Sequence, residues 1–288
     1  MPVLTRLAPA KLNLTLRVRG RRPDGFHEVE SLVTRLDFGD ELVVARHEDG
    51  CYALTCDDLA LPADGSNLVL RAARVLARAA GVNHGAAFTL RKRIPTGAGL
   101  GGGSSDAAAA LQALNEIWDL RWPPARLVEL AALLGSDVPL FLHAPLCVVR
   151  GRGEHVEDRP ERCLAWAVLL LPPLQCATPA VYAAWDRRPP PTPERPPLES
   201  ILAVLHDPAA LMERLFNDLE PAAFDVAPEL ARLADSAAAL AGGPVRMTGS
   251  GAALFRLVAD HAAAEALAAE ARARLGVRAE VARTATSE

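Results

Sequence analysis

The period of hydrophobic and polar positions changes several times along the chain, and each change marks an element. Leu12, Leu14, Leu16 and Val18 alternate with polar neighbours, predicting a strand over 12–18. RLDFGDELVVAR (35–46) reads as a further strand around a turn. From 66 to 81 the period lengthens to that of a helix, with Ser66 as N-cap and Gly81 as stop. AFTLRKRI (87–94) then returns to a strand, and SSDAAAALQALNEIWDL (104–120) and PPARLVELAALLG (123–135) to helices. Between that strand and the first of these helices lies PTGAGLGGG (95–103).

The second half is organised similarly. VVRG and LAWAVLLLPPL, within 148–175, are strand-like runs, and alanine-rich helical patterns cover 228–241 and 260–274. PVRMTGSGAALFRLV (244–258) reads as strand, glycine turn, strand. The proline-dense segment 187–200 excludes helix and central strand and is expected to be an extended surface loop. No internal repeat is visible.

Composition narrows the class. With 288 residues, half of them hydrophobic and 23% charged, the chain is expected to be globular and large enough for two domains. A net charge of −4 argues against a nucleic-acid partner and favours a small-molecule ligand. No apolar segment is long enough for a membrane span and no secretory leader is read, so the expected location is cytoplasmic, with no membrane partner. Five scattered cysteines without C-x₂-C spacing read as reduced thiols rather than metal ligands.

Three templates compete for the glycines at 97, 99, 101, 102 and 103. A Walker loop fails because Gly103 stands where its lysine belongs. Gly97, Gly99 and Gly102 match a dinucleotide fingerprint literally, but no second strand with an acidic ribose ligand follows. Asp37–Gly39 imitates a protein-kinase metal triplet, yet it precedes the loop and no H-R-D occurs. What remains is physical: a bare backbone, amides at a helix start and two serine hydroxyls suit a phosphate chain.

PTGAGLGGGSSDAAAAL (95–111) resembles the second motif of the GHMP kinases, APAKLNLTL (8–16) the first and MTGSGAALF (247–255) the third. The three lie in family order across most of the chain. The resemblance implies an α+β fold of two domains, an N-terminal domain like the second domain of ribosomal protein S5 (1–155) and a ferredoxin-like C-terminal one (156–288). It also implies transfer of the γ-phosphoryl group of ATP, with Mg²⁺, to the 2-hydroxyl of 4-diphosphocytidyl-2-C-methyl-D-erythritol. A homodimer is allowed but not demanded.

By the same resemblance Lys11 and Asp137 are the catalytic pair. In composition, Lys11 and Lys92 are the two lysines among 31 basic residues, and Lys92, between two arginines, is expected to be solvated. Asp137 in GSDVPLFL has a plain alternative as a helix N-cap. ATP is expected on Pro95, Thr96, Gly97, Ala98, Gly99, Leu100, Gly101, Gly102, Gly103, Ser104 and Ser105, with Asn67 near the adenine or simply capping a helix. Ser105 is the expected magnesium contact, and Gly249, Ser250 and Gly251 support the phosphate loop. The substrate is expected on Asn13, Phe26, His27, Thr178 and Tyr182, since an aromatic and a histidine supply stacking and edge hydrogen bonds to a cytosine. Phe26 stands where the family usually has tyrosine. Two other readings stay open: a GHMP kinase for homoserine or mevalonate, which needs no cytidine clamp, and a non-catalytic nucleotide-binding protein.

Overall fold

The computed structural model describes residues 2–47, 49–189 and 195–285. In chain order the elements are β1 (Val3–Asn13), β2 (Thr15–Arg21), β3 (His27–His47), β4 (Tyr52–Cys56), α1 (Leu68–Ala80), β5 (Gly85–Arg91), α2 (Gly102–Ile117) and α3 (Pro124–Ala132). A 3₁₀ turn (Pro139–Leu142) leads to β6 (Leu146–Gly151), β7 (His155–Asp158), β8 (Trp166–Leu171), α4 (Thr178–Trp185), α5 (Leu198–Leu202) and α6 (Pro208–Arg214). The chain closes with β9 (Phe216–Asn217), α7 (Glu220–Val226), α8 (Pro228–Ala241), β10 (Arg246–Met247), β11 (Leu254–Val258), α9 (His261–Leu275) and β12 (Arg278–Arg283).

Two compact units share this chain by interleaving. The first comprises Met1–Ala10, Gly39–Thr96 and Gly101–Ala144; the second comprises Lys11–Phe38, Gly97–Leu100 and Pro145–Glu288. In the first unit β5 pairs in parallel with β4 and antiparallel with the end of β3, from Glu41↔Arg91 to His47↔Gly85. Helices α1 and α2 pack on each other through small buried side chains, among them Ala72, Ala73, Ala107 and Ala110, which let the two backbones come close. Buried leucines such as Leu76, Leu111 and Leu114 add about 1.5–3 kcal/mol each in removed apolar surface.

In the second unit β8 lies between β11 and β12, antiparallel to both, with β10 beyond β11. Residues 167–171 of β8 are all buried, which is why that strand reads as a continuous apolar run. The alanine faces of α8 and α9 (Ala234, Ala237, Ala264, Ala268) join its core. The first part of β3 pairs antiparallel with β2 and β6, and β9 adds to β2 in parallel.

Four local expectations change. RLDFGDELVVAR contains no turn: β3 runs straight through, and Gly39 is needed because a Cβ there would overlap the Ala8 carbonyl. The alternation over 12–18 is shared by two strands, because β1 ends at Asn13 and Leu14 separates it from β2. The N-cap of α1 is Asn67, not Ser66, while Gly81 closes the helix with φ 65° as expected. Within 187–200, Leu198–Leu202 forms a short helix behind Pro197, a residue tolerated at helix starts because it has no N–H to leave unpaired. Residues 190–194 of that segment lie outside the described residues. Among the described residues no helix is long and apolar enough to cross a membrane.

Candidate active site

The glycine loop sorts into two kinds of glycine. Gly97, Gly99 and Gly101 have φ of 72°, 78° and 77°, a region that side chains with a Cβ enter at a cost of about 1–2 kcal/mol. At Gly99 a Cβ would overlap the Thr248 carbonyl, and at Gly102 it would crowd Ile94 at 3.0 Å and Asp40 at 3.3 Å. At Gly97 and Gly103 the nearest atoms stand at 3.9 and 3.7 Å. The bare backbone therefore answers partly to the protein's own packing and leaves room for a ligand only at some positions.

Helix α2 starts at Gly102 behind Gly101, which supplies no side-chain cap. The Ser105 amide donates to the Gly101 carbonyl at 2.9 Å, and the amides before it in the first turn are those that an α-helix leaves without an intrahelical partner, at the positive end of its dipole. Pro95 and Ser104 are half-buried and Thr96 is exposed on this run. Ser105 is fully buried, and its Oγ, like Asp106 Oδ1, has no hydrogen-bond partner among the described residues.

Within the second unit, three separated segments meet around Gly99. The Lys11 amide donates to the Leu100 carbonyl at 3.0 Å, and the Ala253 amide donates to Ala98 O at 3.0 Å. Gly249 (φ 59°) lies with its absent Cβ 3.0 Å from Gly99 O and 3.3 Å from Lys11 Nζ. Asn217 Nδ2 fixes that second turn by donating to Met247 O and Gly249 O at 2.9 and 2.8 Å. Lys11 is buried and donates to Asn13 Oδ1, so it is no surface strand-edge charge. Asn13 Oδ1 also receives the Thr248 hydroxyl at 3.3 Å, and its Nδ2 donates to Ser31 Oγ at 2.7 Å. Much of the Asn13 amide thus serves to hold Lys11.

Lys92 overturns its expectation. Its side chain is 7% exposed and is ion-paired to Asp40 and, at 2.8 Å, to Asp106. Asp40 in β3 is completely buried and also accepts the amides of Arg93 and Ile94, at 2.6 and 2.8 Å, where the chain enters the loop. Burial pushes the Asp106 carboxyl up to about 7; Lys92 opposes this and Asp40 reinforces it. Burial works against the Lys92 ammonium too, but Asp106 and Asp40 outweigh it and hold its pKa above the ordinary value. A lysine flanked by arginines is solvated only if its strand faces water, and here it points at two carboxylates from other elements.

At the start of β3 a second cluster forms. Phe26 is 52% exposed, with the Arg152 guanidinium 5.2 Å above its ring. His27 stacks on Tyr182 at 4.5 Å and 24°, and meets the edge of Trp185 at 5.6 Å. His27 Nε2 lies 2.7 Å from Asp186 Oδ1. Thr178 Oγ1 and Ser250 Oγ share a hydrogen bond of 2.8 Å. The expected residues 27, 178 and 182 are thus joined with the third glycine turn, while Phe26 presents its ring outward.

Asp137 and Asn67 belong to the first unit. Asp137 is exposed in the turn before the 3₁₀ segment, whose cap is Val138 without any side-chain bond, so the N-cap alternative does not apply. Asn67 does cap: Oδ1 accepts the Val69 amide at 2.9 Å and Nδ2 donates to Pro62 O at 2.8 Å. Sequence reasoning missed Asp40, Asp106 and Asp186. The rarity of lysine could have flagged the first two through Lys92, and the position of an acid at the end of a helical pattern could have flagged Asp186.

Residues 67–144 match the family model for the GHMP kinases N terminal domain, and residues 198–276 match that for the GHMP kinases C terminal domain. The 4-diphosphocytidyl-2-C-methyl-D-erythritol kinases of Pelotomaculum thermopropionicum and Paramagnetospirillum magneticum are both 41% identical to this chain. Coverage is 94% of each chain for the first, and 91% of this chain and 92% of the relative for the second. A crystal structure of 4-(cytidine 5'-diphospho)-2C-methyl-D-erythritol kinase superposes with a TM-score of 0.82 at 36% identity, covering 99% of this chain and 100% of the other. Homoserine kinase from Cytophaga hutchinsonii, at 18% identity and TM-score 0.74 over 99% of this chain and 95% of its own, shares the fold.

Proposed function

This chain belongs to the GHMP kinase family, and we propose that it phosphorylates the 2-hydroxyl of 4-diphosphocytidyl-2-C-methyl-D-erythritol with ATP, giving the 2-phosphate and ADP in non-mevalonate isoprenoid precursor biosynthesis. The observation that carries the substrate is the His27 cluster, where a stacked imidazole and an open aromatic ring suit a pyrimidine. A kinase for homoserine or mevalonate would have no use for it.

Phosphoryl transfer depends on positioning and charge stabilisation more than on covalent chemistry. The substrate oxygen bonds to the γ-phosphorus as the bond to the β,γ-bridging oxygen breaks, and the hydroxyl proton leaves toward a carboxylate. Asp137, exposed and free of a capping role, is the carboxylate assigned to orient that hydroxyl. Lys11, already held by Asn13 beside the glycine turns, supplies positive charge to the phosphates. The amides at the start of α2 bind the phosphate chain.

Among the described residues no group of three or more His, Cys, Asp or Glu could hold a metal on protein ligands alone. The Ser105 hydroxyl, buried without a hydrogen-bond partner among the described residues, is the protein group that would contact a hard cation. A Mg²⁺ held there would shield the charge of the phosphates. The reaction is assigned to the cytoplasm, where the five free cysteines stay reduced, and the net charge of −4 favours no nucleic-acid partner.

The test is ADP release from Mg-ATP with the cytidyl substrate, homoserine or mevalonate supplied separately. Turnover is expected with the cytidyl compound alone, and turnover of homoserine or mevalonate in its place would overturn the reading. In the same assay Asp137→Asn is expected to lower kcat by about 10²–10⁴ while ATP affinity is retained.

A further inference from the structure

Asp186 has no part in the chemistry above, yet its carboxylate reaches the imidazole at the centre of the pyrimidine cluster. It is the C-cap residue of α4, with its amide bonded to Tyr182 O at 2.9 Å. An acid is electrostatically disfavoured there, because the last carbonyls already present partial negative charge. Its carboxylate instead meets His27 Nε2 at 2.7 Å. A carboxylate oxygen can only accept, so the imidazole carries a proton on Nε2 and donates it. In the neutral ring Nδ1 then keeps a lone pair and acts only as an acceptor. Tyr182 against the ring face and Trp185 at its edge hold this orientation, and the His27 side chain is only 8% exposed.

We propose that Asp186 is a positioning residue that, acting through His27, makes the site read a pyrimidine by its exocyclic group. Nδ1 accepts a hydrogen bond from the amine of cytosine and repels the carbonyl oxygen that uracil carries at the same place. The carboxylate removes the alternative tautomer, in which Nδ1 would donate and the preference would reverse. This inference rests on the cytidyl reading of the cluster and adds to it the residue that sets base selectivity.

The experiment is calorimetric titration of the full chain with CDP and with UDP, the ATP loop being filled by a non-hydrolysable ATP analogue. The unmodified protein is expected to bind CDP at least about tenfold more tightly than UDP. Asp186→Ala is expected to bring the ratio close to one, mainly through weaker CDP binding. Asp186→Asn is expected to keep the preference, since its amide oxygen still accepts the Nε2 proton. The unfolding temperature of Asp186→Ala should be unchanged or slightly raised, because an acid leaves a helix C-terminus.

An Asp186→Ala protein with the original ratio would overturn the proposal. So would an Asp186→Asn protein as unselective as Asp186→Ala, or an unmodified protein that binds neither nucleotide or does not distinguish them. Failure of the functional reading looks different: the CDP preference and its dependence on Asp186 persist, but the cytidyl substrate is not phosphorylated.

Discussion

Around Gly99 the partners are mostly backbone: the Thr248 carbonyl, the Gly249 turn and the Leu100 carbonyl that receives the Lys11 amide. Around His27 they are side chains: Tyr182, Trp185 and Asp186, with Phe26 beside them largely open. Backbone packed on backbone tolerates no added atom, so the first cluster must be written in glycine. Side chains can exchange shape and polarity, so the second can be tuned to a base without disturbing the fold. In the proposed reading the Gly99 cluster meets a phosphate chain, which is the same in every ATP, and the His27 cluster meets the acceptor alcohol, which differs between kinases, so each would have the plasticity its ligand demands.

The largest effect that would expose this difference is expected from Gly99→Ala. The left-handed φ and the overlap with Thr248 together cost about 3 kcal/mol, and the ATP KM should rise with them. Gly81→Ala is the control, with φ 65° but nothing within 4 Å of the new Cβ, and should cost about 1 kcal/mol. Equal destabilisation in chemical denaturation would mean that the Thr248 contact is slack. Next comes His27→Ala, expected to raise the KM for the cytidyl substrate about tenfold while the ATP KM and kcat stay put. An unchanged KM would remove the pyrimidine cluster from recognition.

The smallest effect concerns the other flank of the loop, where Asp106 meets Lys92 and Asp40. Burial raises the folded-state pKa of Asp106 to about 7, above its unfolded value near 4, so the native state binds more protons between those limits. The stability this group contributes is full below about pH 4 and is lost as pH rises through about 7. Asp106→Asn should therefore flatten the pH dependence of unfolding free energy across that window. Parallel curves for the two proteins would place Asp106 in the ionised form throughout.

The parts written as glycines were legible in the sequence: the loop, the third-motif turn and the helix that follows the loop agree with their expected places. What escaped was set by residues distant in sequence. Gly39 looks like a turn until Ala8 is found against it, and Lys92 looks solvated until Asp40 and Asp106 close on it. His27 and Tyr182 could be named as separate contributors, but their stacking on each other and the Asp186 contact depend on where α4 meets the start of β3. Local pattern carries backbone requirements well, and it carries long-range side-chain pairing poorly.

The central claim is most directly tested by identifying the product of a single-turnover reaction of the cytidyl substrate with Mg-ATP by phosphorus NMR. One new phosphomonoester on the 2-hydroxyl, formed in equal amount with ADP, is the expected result. ADP formed without a phosphorylated cytidyl product, or a phosphate carried on a different hydroxyl, would contradict it.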